Sequence, residues 1–145
     1  MAVVNLYNGI YRVLANDQIV LDYLGIGENA SNLDKAKRVQ KRSKPQNLAK
    51  SMPLITFYAP PGRREGENLL VYNTNFYFDI YTNDDVDLAQ RIGDRITELF
   101  EGVIHPMMGV ENFESLLVTM HESESDLPDS YCFTVVINFS ISLDN

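Results

Sequence analysis

The chain has 145 residues, 45% of them apolar and 22% charged, with a formal net charge of −8. That is the size and balance of one globular domain, residues 1–145, able to bury a single core without staples. Its lone cysteine, Cys132, rules out an intrachain disulfide and fits a reducing compartment, no run approaches the roughly 18 apolar residues of a membrane span, and the opening "MAVVN" lacks the basic and apolar regions of a secretory signal.

The first periodic segment runs from Val4 to Leu24, with Leu6, Ile10, Val13 and Leu14, then Ile19, Val20, Tyr23 and Leu24, at spacings of three and four. Asn16 and Asp17 interrupt it, so the pattern predicts a helix of about three turns and then a short second helix with Asp17 as N-cap. Gly25 and Gly27 close the unit. These apolar positions read as core packing rather than as a binding stripe.

Residues 28–50 are the least core-like part. The stretch "SNLDKAKRVQKRSKPQNLAKS" has few large apolar residues. Residues 35–50 hold seven basic residues and no acid, whereas 1–34 hold one arginine against four acids and 51–145 hold four arginines against sixteen. Two conformations fit: a short basic helix near 33–42 or a long loop, ended by Pro45 and Pro53. Three roles fit as well: a solvated loop, a protein-docking arm, or a contact to nucleic acid. The last is the weakest, because no aromatic residue between Lys35 and Lys50 offers a base a stacking surface. The acidic remainder repels nucleic acid at long range.

Leu54–Tyr58, "LITFY", predicts a strand, and "APPGRREGEN" a turn-rich connection. A second strand is expected over about 69–81. Its even positions Tyr72, Thr74, Phe76, Phe78 and Ile80 form the packed face, while the odd positions leave Tyr77 and Tyr81 outside, more aromatic surface than a solvated face requires. Thr82, Asn83 and Asp84 are N-cap candidates for a helix over about 84–101. Its apolar positions Leu88, Ala89, Ile92, Ile96, Leu99 and Phe100 share one side, with Gly102 at the C-terminal cap. Two strands follow, at about 113–120 and 131–143. In the second, Tyr131, Phe133, Val135, Ile137, Phe139, Ile141 and Leu143 lie on one side. About thirteen residues is long for a strand, and such strands often overhang their sheet or pair between subunits. The acidic "HESESDLPDS" between them predicts a hairpin loop. Together these elements predict an α+β fold: a mostly antiparallel sheet of about four strands with two main helices packed against it.

The pattern points away from catalysis. His105 and His121 lack metal-ligand spacing and read as packing or surface residues. Cys132 sits inside a strand pattern, and no Ser-His-Asp or Cys-His set can be assembled. The "GIG" at 25–27 does not continue into a dinucleotide fingerprint. Asp84, Asp85 and Asp87 are explained by a helix start, and Glu122, Glu124, Asp126 and Asp129 lack EF-hand spacing. No catalytic residue, metal ligand or cofactor is expected.

The order of elements carries a resemblance. The opening "LYNGIYRVLANDQIVLDYLG", then "LITFYAPPG", "NFYFDIYT", "DVDLAQRIGDRITELFEG" and the closing "YCFTVVINFSISL" together resemble the tail terminator and tail-to-head joining (tail completion) proteins of long-tailed bacteriophages, over about Leu6 to Leu143. The basic segment at 33–50 is longer than that family's pattern. The resemblance implies a virion structural protein, made in the host cytoplasm, that assembles with itself as a ring, commonly a hexamer. Such a ring caps the tail tube and joins the tail to the head connector. Its implied partners are the tail tube protein and the head-closure or connector protein, with DNA passing non-specifically near the lumen and no membrane involved. The alternatives are another neck or tail component, such as a head-closure or tail tube protein, and a small ligand-binding domain. Lys37, Arg38, Lys41 and Arg42 are candidates for one interface patch, Glu122, Glu124 and Asp126 for the other, and Tyr77 and Tyr81 for apolar contacts between copies.

Overall fold

A computed structural model describes residues 2–27, 29–46, 51–64, 71–105 and 112–142. The elements in chain order are α1 (Ala2–Ala15), α2 (Gln18–Tyr23), α3 (Asn32–Arg38), β1 (Val39–Gln40), β2 (Leu54–Tyr58), β3 (Arg63–Arg64), β4 (Val71–Thr82), α4 (Val86–Phe100), β5 (Asn112–Ser123) and β6 (Tyr131–Ser142). They build one mixed sheet in the order β1-β2-β4-β6-β5, with β3 on the far part of β4. Only β1 and β2 run parallel; the other pairs are antiparallel. The four strands expected from alternation are present. The two additional ones, β1 and β3, have two residues each, too few to show a period.

The break at Asp17 falls where expected, and its carboxylate accepts the Val20 N–H at 3.0 Å. Of the two conformations open to the basic segment, its first half is the helix. Ser31 caps α3 by accepting the Asp34 N–H at 3.1 Å, and α3 runs straight into β1. The expected N-caps of α4 stop one residue short: the cap is Asp85, which accepts the Leu88 N–H at 3.0 Å. Asp84 is left at φ 55, and the Thr82 hydroxyl accepts the Asp85 N–H at 3.1 Å. Gly102, at φ 68, ends the unit as a glycine past a helix terminus does. Its N–H donates to the Ser115 carbonyl at 2.7 Å, pinning the helix end to β5.

Period two in β4 and β6 sets the core. Phe76, Phe78 and Ile80 of β4 and Val135, Ile137, Phe139 and Ile141 of β6 are fully buried on one face, with Ile55 and Phe57 of β2. The helices cover that face. Tyr7 of α1 meets the rings of Phe57 and Phe76, and Phe100 of α4 meets those of Phe78 and Phe139. Glycine inside a helix costs stability, but a Cβ on Gly93 would stand 2.9 Å from the Phe133 ring, so the missing side chain lets α4 close on β6. The helix beside α4 is the short α2 rather than α1. Arg95 of α4 clasps Asp17 with two hydrogen bonds, at 2.7 and 3.0 Å.

Two expectations about the terminal strands change. β6 neither overhangs nor offers itself to another subunit, because β4 is equally long and pairs with all twelve of its residues while β5 covers its other side. β5 also runs further than expected, to Ser123, which shortens the hairpin and puts Glu122 on a strand.

Candidate assembly surfaces

The nine candidate interface residues fall into three places. Lys37 and Arg38 end α3, and Lys41 and Arg42 follow β1. Tyr77 and Tyr81 lie on the middle strand β4, on the face away from the helices. Glu122 is the last residue but one of β5, and Glu124 and Asp126 are in the β5–β6 connection.

Within the basic segment the four cations do different things. The Arg38 guanidinium donates to the carbonyls of Leu24 (3.1 Å) and Pro53 (3.2 Å), tying three stretches of backbone together. The Lys41 ammonium donates to Asn8 at 2.8 Å and stands 5.7 Å from the centre of the Tyr11 ring. Lys37 and Arg42 are exposed. Gln40, almost buried, holds the intervening turn. Its amide donates to the carbonyls of Lys37 (2.9 Å) and Gln46 (3.1 Å), and its side-chain oxygen accepts the Gln46 N–H at 2.8 Å. Sequence reasoning treated the four cations alike because side-chain partners distant in the chain leave no local pattern.

The second face of the sheet carries a ladder of polar pairs across β4 and β6. Ser140 donates to Asn73 (2.5 Å), Asn138 to Asn75 (2.8 Å) and Thr134 to Asp79 (2.7 Å). Tyr58 of β2 also hydrogen-bonds Asp79, and its ring lies 5.6 Å from that of Tyr77. Tyr77 and Tyr81 are therefore half-buried members of a cluster rather than free rings. Burial raises the Asp79 carboxyl above its ordinary value, against the hydrogen bonds from Thr134 and Tyr58 and the charge of His121. Burial, then the Asp79 charge, pushes both the Tyr58 hydroxyl and the Cys132 thiol up to about 12. Cys132 is thus a protonated, unreactive thiol at neutral pH. Sequence reading passed over Asp79; its odd position between Tyr77 and Tyr81 in an aromatic strand was the available signal.

The acidic connection is internally braced. Ser125 and Ser130 share a hydrogen bond at 2.5 Å, Ser130 donates to the Leu127 carbonyl at 2.6 Å, and Asp129 takes φ 60. Glu122 accepts the Tyr131 hydroxyl at 2.9 Å. Glu124 and Asp126 are exposed.

Among the described residues, no three His, Cys, Asp or Glu side chains converge as metal ligands would, and no helix is long and apolar enough to cross a membrane. Asp85 and Asp87 are engaged locally, as a cap and as the partner of Arg91 at 2.7 Å. His105 packs edge-on to Phe100 and contacts the Leu99 carbonyl.

The fold has a solved counterpart. A chain in the virion of the native gene transfer agent (GTA) particle superposes with a TM-score of 0.65 over 94% of both chains. Its sequence identity to this chain is 12%, so the likeness is one of fold. No protein-family model and no curated protein matches the chain.

Proposed function

We propose that this chain is a structural virion protein of a phage-like particle. In this reading it forms a ring that caps the tail tube and joins the tail to the head connector. The observation that carries the coarser part is the fold shared, over nearly the whole of both chains, with a component of a gene transfer agent virion. The finer part rests on the order of elements described above and on the division of charge between 35–50 and the rest. The protein acts by assembly rather than catalysis, and its partners are copies of itself, the tail tube and the head connector.

In a heterologous ring each copy offers two different patches, and opposite charges set their register. Electron microscopy of the purified chain tests the first step: closed rings with a central opening are expected, six-fold in class averages. Labelling the chain in the particle tests the second, with density expected at the tail–head junction. A chain that stays monomeric at all concentrations and is absent from that junction would overturn the reading.

A further inference from the structure

The basic and acidic patches occupy opposite edges of one sheet. The cross-strand register runs Val39↔Ile55, Ile55↔Ile80, Ile80↔Phe133 and Phe133↔Glu122, a single row from β1 to β5. Four strand spacings separate its ends, roughly 19 Å. Beyond the first end lies a groove of about 500 Å³ between α1 and the α3–β1 turn. Its apolar lining includes Tyr11, Leu33 and Ala36, with Lys37 and Arg42 among its charged walls. Leu33 is 67% exposed there, a large apolar side chain beside cations. Beyond the other end lies the β5–β6 hairpin, where Leu127 sits among Glu124, Asp126 and Asp129.

We infer that the groove receives the acidic hairpin of a second copy of this chain. Leu127 seats against Leu33 and Ala36, while Glu124 and Asp126 meet Lys37 and Arg42. Three observations carry this. The two surfaces are opposite in sign, basic groove against acidic hairpin, and each has an apolar centre. Both are held in shape, the groove by the Gln40 bonds and the hairpin by the Ser125–Ser130–Leu127 bonds. They also cannot meet within one chain, because the width of the sheet lies between them. A contact between opposite edges repeats from copy to copy, so it propagates and closes a ring if the rotation per step allows. The inference rests on the ring reading and specifies how its subunits touch. Lys37 and Arg42 are the recognition cations in this arrangement. Arg38 and Lys41 support the groove.

The test uses the full chain with Ala36→Cys and Leu127→Cys together, Cys132 being buried. Mild oxidation should give a ladder of covalent dimers, trimers and higher species, whereas an equimolar mixture of the two single variants should stop at dimers. Separately, Lys37→Glu with Arg42→Glu should weaken self-association roughly tenfold, as expected from losing two exposed charge pairs. Glu124→Lys with Asp126→Lys in the other copy should restore it. Rings seen by microscopy without a ladder, or rings indifferent to the charge reversals, would overturn the groove contact and leave the ring standing. In that case the groove serves an acidic segment of another protein, or nucleic acid. Absence of both rings and ladder would overturn both readings.

Discussion

The two faces of the sheet are built from the same strands yet are held by different physics. On the helix-covered face Phe76, Phe78, Val135, Ile137 and Phe139 are fully buried, so cohesion comes from apolar area and ring packing. On the other face Cys132 and Thr134 are each 1% exposed and Asp79 8%, nearly as inaccessible, but the contacts are cross-strand hydrogen bonds and the tilted ring pair of Tyr58 and Tyr77. The comparison teaches that burial alone does not mark a core. A polar group tolerates burial when a partner one strand away satisfies it, and its protonation then records the environment.

The largest test of the contrast is a charge on the apolar face. Ile137→Asp places an unpaired carboxylate among Val135, Phe139 and the helices. It should cost at least about 4 kcal/mol and abolish a cooperative thermal transition followed by circular dichroism. A melting temperature within a degree or two of the parent would mean the facing of β6 is misassigned.

Asp17→Ala is next. It removes the α2 cap and the Arg95 clasp together, an expected loss of about 1–3 kcal/mol in denaturant unfolding. Burial acts to raise this carboxyl, but the Arg95 hydrogen bonds, the Val20 N–H and the Arg95 charge carry it below its ordinary value. Its contribution is therefore present in full above the unfolded carboxylate range and fades as pH falls through the folded value. The difference between variant and parent should shrink in acid.

Asp79→Asn reverses that sign. The Asp79 carboxyl is raised by burial, so the folded state binds its proton more tightly than the unfolded chain does. The parent should gain stability relative to the variant as pH falls through the folded value towards the unfolded one. At neutral pH the two should lie within about 1 kcal/mol, since the amide oxygen still accepts from Thr134 and Tyr58. Parallel pH profiles for the two proteins would contradict the buried-carboxylate account.

The smallest effect is expected beside it. Thr56, paired with Asp79 across β2 and β4, is fully buried, and its hydroxyl has no hydrogen-bond partner among the described residues. Thr56→Val keeps the shape and removes the orphan, so it should be neutral or stabilise by up to about 1 kcal/mol. A clear destabilisation would show that the hydroxyl has a partner.

By itself the sequence determined the repeating parts of this protein. The helix break at Asp17, the span of β2, the alternation of β4 and β6 and the amphipathic α4 were all legible, because helical and strand periods are local properties of side-chain direction. The α+β class and the separation of charge followed from the same reading. Tertiary structure decided whatever depends on residues far apart in the chain. It paired two-residue β1 and β3, seated α2 rather than α1 against α4, and made β6 an interior strand by giving it an equally long neighbour. It also sorted four equivalent-looking cations into two that brace backbone and side chains and two that face outward. Hydrogen bonds and ion pairs between distant residues depend on where the folded backbone places them, and no period along the chain records that placement.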